Sequence, residues 1–190
     1  MNRLGGFFAA LCLLAALWAL WMLWSPAPGP LGPPRPSVEY RPSKGEAGQI
    51  ASPVRRILVE KAARRMTVWQ QDGPPRTFRI ALGFAAQGDK LREGDGRTPE
   101  GVFRIDRLNR QSAYHLSLGI DYPQPRHRKA ARAQGVSPGG DIMIHGQPNR
   151  LPQGHRLSGD WTAGCIAVGN AEIEEIFAHA RIGTEVEIRP

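Results

Sequence analysis

Asp141-Ile142-Met143-Ile144-His145-Gly146, followed further on by Thr162-Ala163-Gly164-Cys165-Ile166-Ala167, is the stretch whose reading decides both fold and chemistry. Ile142 and Ile144 share one side of the first segment, the period-two mark of a strand buried on one face. His145 ends that strand and Cys165 begins another, with nineteen residues between them. Groups at strand ends beside loops are readily brought together by a rigid sheet. A thiol needs help to ionise near neutral pH, and a nearby imidazole supplies it by taking the proton. Cys165 is therefore a candidate nucleophile and His145 a candidate proton donor and acceptor, which predicts an activated thiolate near neutrality. The Gly146 carbonyl is free to accept from the second ring N–H and fix the tautomer, the task an acid performs in a serine triad. Gly164 lets backbone N–H groups near Cys165 approach a developing oxyanion.

Outward from this pair the apolar pattern stays mostly period two. Strands are predicted over residues 55–60 and 65–70, joined by a Lys61-Ala62-Ala63-Arg64 turn, and over 77–82, 102–105, 141–145 and 184–188. One helix stands out. Asn170 can cap it, Ile173, Ile176, Phe177 and Ala180 fall on one face, and Gly183 stops it. The predicted fold class is mainly β (α+β), a β-sandwich or barrel-like domain with one clear helix near the C-terminus. Long polar loops over 83–100 and 122–140 are the natural walls or lids of a site.

The beginning of the chain reads differently. Residues 4–24 are 21 positions without a charge, enough to span a bilayer, with Trp18, Trp21 and Trp24 suited to an interfacial belt. Residues 1–24 are thus a transmembrane anchor or a signal segment. Cleavage would need a small-residue site, and the prolines at Pro26 and Pro28 make a poor one. Either reading exports the rest of the chain to the cell envelope, in the periplasm or outside the cytoplasmic membrane. Residues 25–52 are rich in proline, glycine and serine and read as an extended spacer, which leaves 53–190 as one domain.

Composition removes several functions. The net charge of +8 is carried almost entirely by scattered arginines, with no basic element interleaved with aromatics, so nucleic acid is not an expected partner. Cys12 lies in the apolar run, so Cys165 has no thiol partner in the folded region and cannot build a cysteine-based zinc site. A metal site from His145, His155 and Cys165 fits no usual zinc spacing. No metal or organic cofactor is expected, and the protein is expected to be monomeric.

The pattern His145-Gly146 … Thr162-Ala163-Gly164-Cys165 resembles the signature of the L,D-transpeptidase catalytic (YkuD-type) family, a histidine followed by S/T-x-G-C. Gly94-Asp95-Gly96-Arg97-Thr98-Pro99-Glu100-Gly101 is similar to its T-P-x-G turn. Tyr114 to Ile120 and the closing Gly183-Thr184-Glu185-Val186 also fit, so the resemblance runs from about Val54 to Pro190. It implies a peptidoglycan acyltransferase of the cell wall. A tetrapeptide stem is cut before its terminal D-alanine through a Cys165 thioester, with His145 moving the proton and the N–H groups near Gly164 holding the oxyanion. The acyl group then passes to an amine, or to water in an L,D-carboxypeptidase. Thr162 is a candidate substrate contact. Many members carry Arg or Asn two residues after the cysteine, where this chain has Ala167. A non-catalytic peptidoglycan-binding module is the rival from another class. A cysteine peptidase acting on protein finds no papain-like sequence around Cys165.

Overall fold

The alternation of apolar side chains becomes a strand ladder in the computed structural model, which describes residues 37–39 and 48–190. Ten strands are present among them: β1 (Ser37–Glu39), β2 (Val54–Glu60), β3 (Arg65–Gln70), β4 (Arg76–Arg79), β5 (Gly101–Ser112), β6 (His115–Ile120), β7 (Met143–His145), β8 (His155–Leu157), β9 (Ile166–Ala167) and β10 (Glu185–Arg189). Two helices join them, α1 (Pro125–Ala133) and α2 (Asn170–His179). Eight strands form one sheet in the order β4-β3-β2-β10-β5-β6-β7-β9, while β1 pairs with β8. In β3 the side chains of Met66, Val68 and Gln70 are buried, and in β10 those of Val186 and Ile188. β10 lies between β2, to which it is parallel, and β5, to which it is antiparallel.

The sheet is one curled layer rather than two facing ones, so the barrel-like form of the expected fold is the one adopted. Past β4 the chain returns to the far edge, where Ala81 and Ala167 exchange backbone hydrogen bonds of 2.9 and 2.8 Å. Gly83 bridges to Thr162 in parallel: the Phe84 N–H donates to Thr162 O at 2.9 Å and the Thr162 N–H to Leu82 O at 3.1 Å. Joining the two edges pairs backbone groups that an open sheet would leave bare.

α2 covers β6 and buries Ile173, Ile176 and Phe177, with Ala180 just beyond, as its periodicity predicts. Its start differs from the expectation. Gly169 holds the cap position, where its N–H donates to Glu172 Oε2 at 2.6 Å. Asn170 instead accepts the Gln147 N–H on Oδ1 at 2.7 Å. α1 falls inside the expected loop 122–140. Only Ala131 of it is buried, so it has no apolar stripe for a sequence pattern to detect. Pro125 starts it, and His127 accepts the Gln124 N–H and stacks on Phe103. β5 runs for 12 residues where four were expected. Beyond Ile105 it is mostly exposed and is held by its ladder to β6, not by burial.

The apolar segment 4–24 lies outside the described residues, among which no helix is long and apolar enough to cross a membrane. Of the expected spacer, Ser37–Glu39 is a strand. Residues 50–52 are packed onto the domain: Ile50 is in the core, its N–H meets Glu175 Oε1 at 2.6 Å, and the Ala51 N–H meets Gln70 Oε1 at 2.8 Å.

The loop 83–100 owes its order to two lysines. Lys61, 2% exposed, donates to Gly88 O at 2.5 Å, Thr98 O at 2.9 Å and Glu100 Oε1 at 2.8 Å. Lys90 pairs with Asp95 at 2.8 Å. Burial pushes the Asp95 carboxyl up, but the Lys90 ammonium and the N–H groups of Arg92, Arg97 and Leu91 outweigh it and hold it at about 2.

Replacing Lys61 by Met strands two carbonyls and a carboxylate, and should lower unfolding free energy by about 3 kcal/mol in urea titrations. The Asp95 carboxyl is depressed, so its contribution is complete above the usual carboxylate range and is lost as pH falls towards about 2. The stability gap between wild type and Asp95→Asn should therefore be widest near neutrality and should close on acidification from pH about 4.

Candidate active site

Two residues of parallel ladder set the turn that carries Cys165 next to the strand that ends at His145. Ile144 pairs with Ile166 and His145 with Ala167, so β7 and β9 send both isoleucines into the core. His145 and Cys165 are then left on the opposite face, since side chains alternate along a strand. Gly164 makes the turn before the thiol. Its φ of 141° suits glycine, and a Cβ there would sit 2.7 Å from Arg97 O, so the loop 83–100 is packed directly against the cysteine turn.

The imidazole is held firmly. His145 is 3% exposed, and its Nδ1 lies 2.7 Å from Gly146 O. A carbonyl can only accept, so Nδ1 carries the proton and Nε2 is the basic nitrogen. The Gly146 N–H is shared between Tyr114 O and Leu116 O at 3.1 and 3.2 Å. Buried Gln147 continues the brace, donating to Val168 O at 2.6 Å and accepting the Leu157 N–H at 2.8 Å. Burial pushes the His145 pKa down, against the Gly146 carbonyl, which raises it.

Cys165 is partly exposed and its thiol donates to Asp141 O at 3.4 Å. No hydrogen bond joins Sγ to the His145 ring among the described residues. Burial pushes the thiol pKa up; the Met143 N–H and the Lys90 charge pull it down, and the Asp141 charge adds to the rise. Both groups are thus driven towards their neutral forms. Burial thus works against the activated thiolate expected from the sequence, because it opposes charge on each group.

Two expected contacts take other roles. Thr162 is buried, and its hydroxyl donates to Cys165 O at 2.7 Å while accepting the Gly164 N–H at 3.1 Å. It shapes the cysteine turn and has no hydrogen-bonding group turned to a substrate. The Gly164 N–H is spent on that hydroxyl, so the oxyanion donor expected at Gly164 is already engaged. His155 lies on β8 and lines a cavity of about 780 Å³ with Arg76, His115 and Glu175, a cavity that neither Cys165 nor His145 lines. Among the described residues no group of three His, Cys, Asp or Glu side chains is placed to hold a metal ion.

Residues that the sequence pattern left without a role wall the imidazole. The Tyr114 ring lies 4.6 Å from that of His145, and the Trp161 ring 5.6 Å away, edge on. Trp161 Nε1 is buried without a hydrogen-bond partner in the described structure, as is Ser117 Oγ, which stands opposite His145 in the β6–β7 register. Trp161 directly precedes Thr162, the one sequence hint that it borders the thiol turn.

Comparison with known proteins supplies the family. Residues 54–188 match the family described as YkuD, L,D-transpeptidase catalytic domain. YafK of Escherichia coli (strain K12), named as a candidate L,D-transpeptidase, is 30% identical over 103 residues, 53% of this chain and 35% of YafK. The helical cell shape determining protein Pgp2 from Campylobacter jejuni is 28% identical with a TM-score of 0.55, over 76% of this chain and 50% of Pgp2. Its K307A mutant superposes with a TM-score of 0.56 at 27% identity, over 76% of this chain and 49% of the mutant. The chain spans about a third of the length of YafK and half that of Pgp2. With the match running from the first residue of β2 into β10, this chain belongs to the YkuD family of L,D-transpeptidase catalytic domains.

Proposed function

We propose that the protein is an L,D-transpeptidase of the cell envelope that acts on peptidoglycan stem peptides, with Cys165 as nucleophile and His145 as proton carrier. The observation that carries this reading is the single tautomer imposed on His145 by Gly146 O, on the same sheet face as the one described thiol. The thiol is partly exposed, where a cysteine used only for packing is usually fully buried.

The reaction runs in two halves. Substrate entry turns the thiol from Asp141 O towards Nε2 of His145, which takes its proton as Sγ attacks the carbonyl before the terminal D-alanine. The negative oxygen is held by the Cys165 N–H, the Gly164 N–H being engaged by Thr162. The imidazolium, stabilised through Nδ1 by Gly146 O, then gives its proton to the departing D-alanine nitrogen as the C–N bond breaks. This leaves a thioester. An amine attacks it, His145 removes the amine proton, and the thiol leaves reprotonated with a new amide formed. Residues 4–24 export or tether the domain, and peptidoglycan is its partner.

Cys165→Ala should abolish turnover of a defined tetrapeptide stem, and His145→Ala should lower kcat by about 10²–10⁴-fold. Mass spectrometry with excess amine acceptor should show the cross-linked product. Loss of D-alanine to give only a tripeptide would make the protein a carboxypeptidase instead, and full activity in Cys165→Ala would remove the nucleophile.

The pH profile has a definite sign. His145 must be unprotonated to accept the thiol proton, and burial lowers its pKa, so kcat/KM should hold below the usual imidazole range and fall only as pH drops further. Without substrate, iodoacetamide should alkylate Cys165 slowly at pH 7 and faster as pH rises past the ordinary thiol midpoint of about 8.5. Fast alkylation at neutral pH would show a preformed ion pair.

A further inference from the structure

Strand register sets two rows of residues on the sheet face that carries His145. Ser117, His145 and Ala167 lie side by side across β6, β7 and β9. One step along, Arg107, Gly119 and Met143 do the same across β5, β6 and β7. Cys165 directly precedes β9, and its thiol reaches Asp141 O just ahead of β7, at the end of the second row.

Gly119 keeps that row open. A Cβ at this position would lie 2.7 Å from Asp106 Oδ1 and 3.1 Å from Arg107 Nε. The Arg107 side chain thus passes over a residue that has none, and its Nη2 donates to Asp141 Oδ1 at 3.0 Å. Asp141 is also the residue whose carbonyl accepts the Cys165 thiol. One residue therefore links guanidinium and nucleophile, the side chain touching the first and the backbone the second.

The Arg107 side chain is 47% exposed and that of Asp141 82%. An anion entering from solvent can reach the guanidinium, and an exposed ion pair of this kind contributes too little to resist exchange. Lys90, a cation whose charge acts on the thiol, is buried and committed to Asp95. From β9 itself the neighbouring residue is Ala167, fully buried and without a polar group.

We propose that Arg107 binds the terminal carboxylate of the acyl donor and so determines a preference for peptides that end in a free acid. This rests on the acyl-transfer reading of the site. In such a donor the carboxylate is separated from the attacked carbonyl carbon by only a nitrogen and an α-carbon, so both must lie within a few ångströms of Cys165. The planar fork of arginine matches a carboxylate in two parallel hydrogen bonds, which lysine cannot reproduce. Asp141 occupies the fork until the substrate replaces it.

Two measurements test this on wild type, Arg107→Ala and Arg107→Lys. In the first, Cys165 is alkylated by iodoacetate and by iodoacetamide, reagents of similar size that differ in a carboxylate next to the reacting carbon. The ratio of the two rates should fall about tenfold in Arg107→Ala and less in Arg107→Lys, with the iodoacetamide rate itself unchanged. In the second, KM for a tetrapeptide ending in D-alanine should rise about tenfold to a hundredfold in Arg107→Ala. The same peptide ending in a carboxamide should show no such change, and kcat should move little for either. An unchanged alkylation ratio together with unchanged discrimination between acid and amide overturns the proposal. If wild type turns over neither peptide, the acyl-transfer reading fails, and the alkylation ratio still decides whether Arg107 receives a carboxylate beside the thiol.

Discussion

The short parallel ladder between β7 and β9 is the constraint on which the rest of the site depends. Pairing Ile144 with Ile166 and His145 with Ala167 does two things at once. It drives both isoleucines into the core, and it leaves the histidine and the cysteine on the other face, in adjacent strands. A slip of one residue in either strand would send one of them into the core. The register is locked from several sides: the Val168 N–H donates to His145 O at 2.9 Å, Ala167 pairs with Ala81, and Gln147 ties the turn after His145 to Val168 and Leu157.

Around this ladder the fold is arranged to keep the cysteine turn from relaxing. Arg97 O leaves no room for a side chain at Gly164, and the loop carrying Arg97 is held by buried Lys61 and by the Lys90–Asp95 pair. Thr162 closes the turn from within, with its hydroxyl bonded to both Gly164 N and Cys165 O. The walls are therefore rigid where they meet the thiol. The Lys61–Glu100 and Lys90–Asp95 pairs are largely buried, while the Arg107–Asp141 pair stays open to solvent.

Burial has a chemical consequence for the pair itself. It lowers the proton affinity of His145 and raises that of Cys165, which favours the neutral thiol and neutral imidazole over an ion pair. In the proposed reaction the proton then moves as attack occurs, in the manner of a serine–histidine pair more than of a preformed thiolate. The Gly146 carbonyl supports the imidazolium only when it forms.

Much of this was legible along the chain. Alternation located β2, β3 and β10, the spacing of Ile173, Ile176 and Phe177 located α2, and the glycine-flanked His145 and Cys165 marked a candidate site. These are local signals, because a residue's burial shows in its own periodicity. α1 escaped because only Ala131 is buried there, and the length of β5 escaped because its outer half is held by pairing alone. The curl of the sheet, the engagement of the Gly164 N–H by Thr162, the wall of Tyr114 and Trp161 and the reach of Arg107 over Gly119 were decided only by tertiary structure. Each depends on which distant strands become neighbours and on how deep the site is buried, and neither quantity is written in the spacing of residues along one strand.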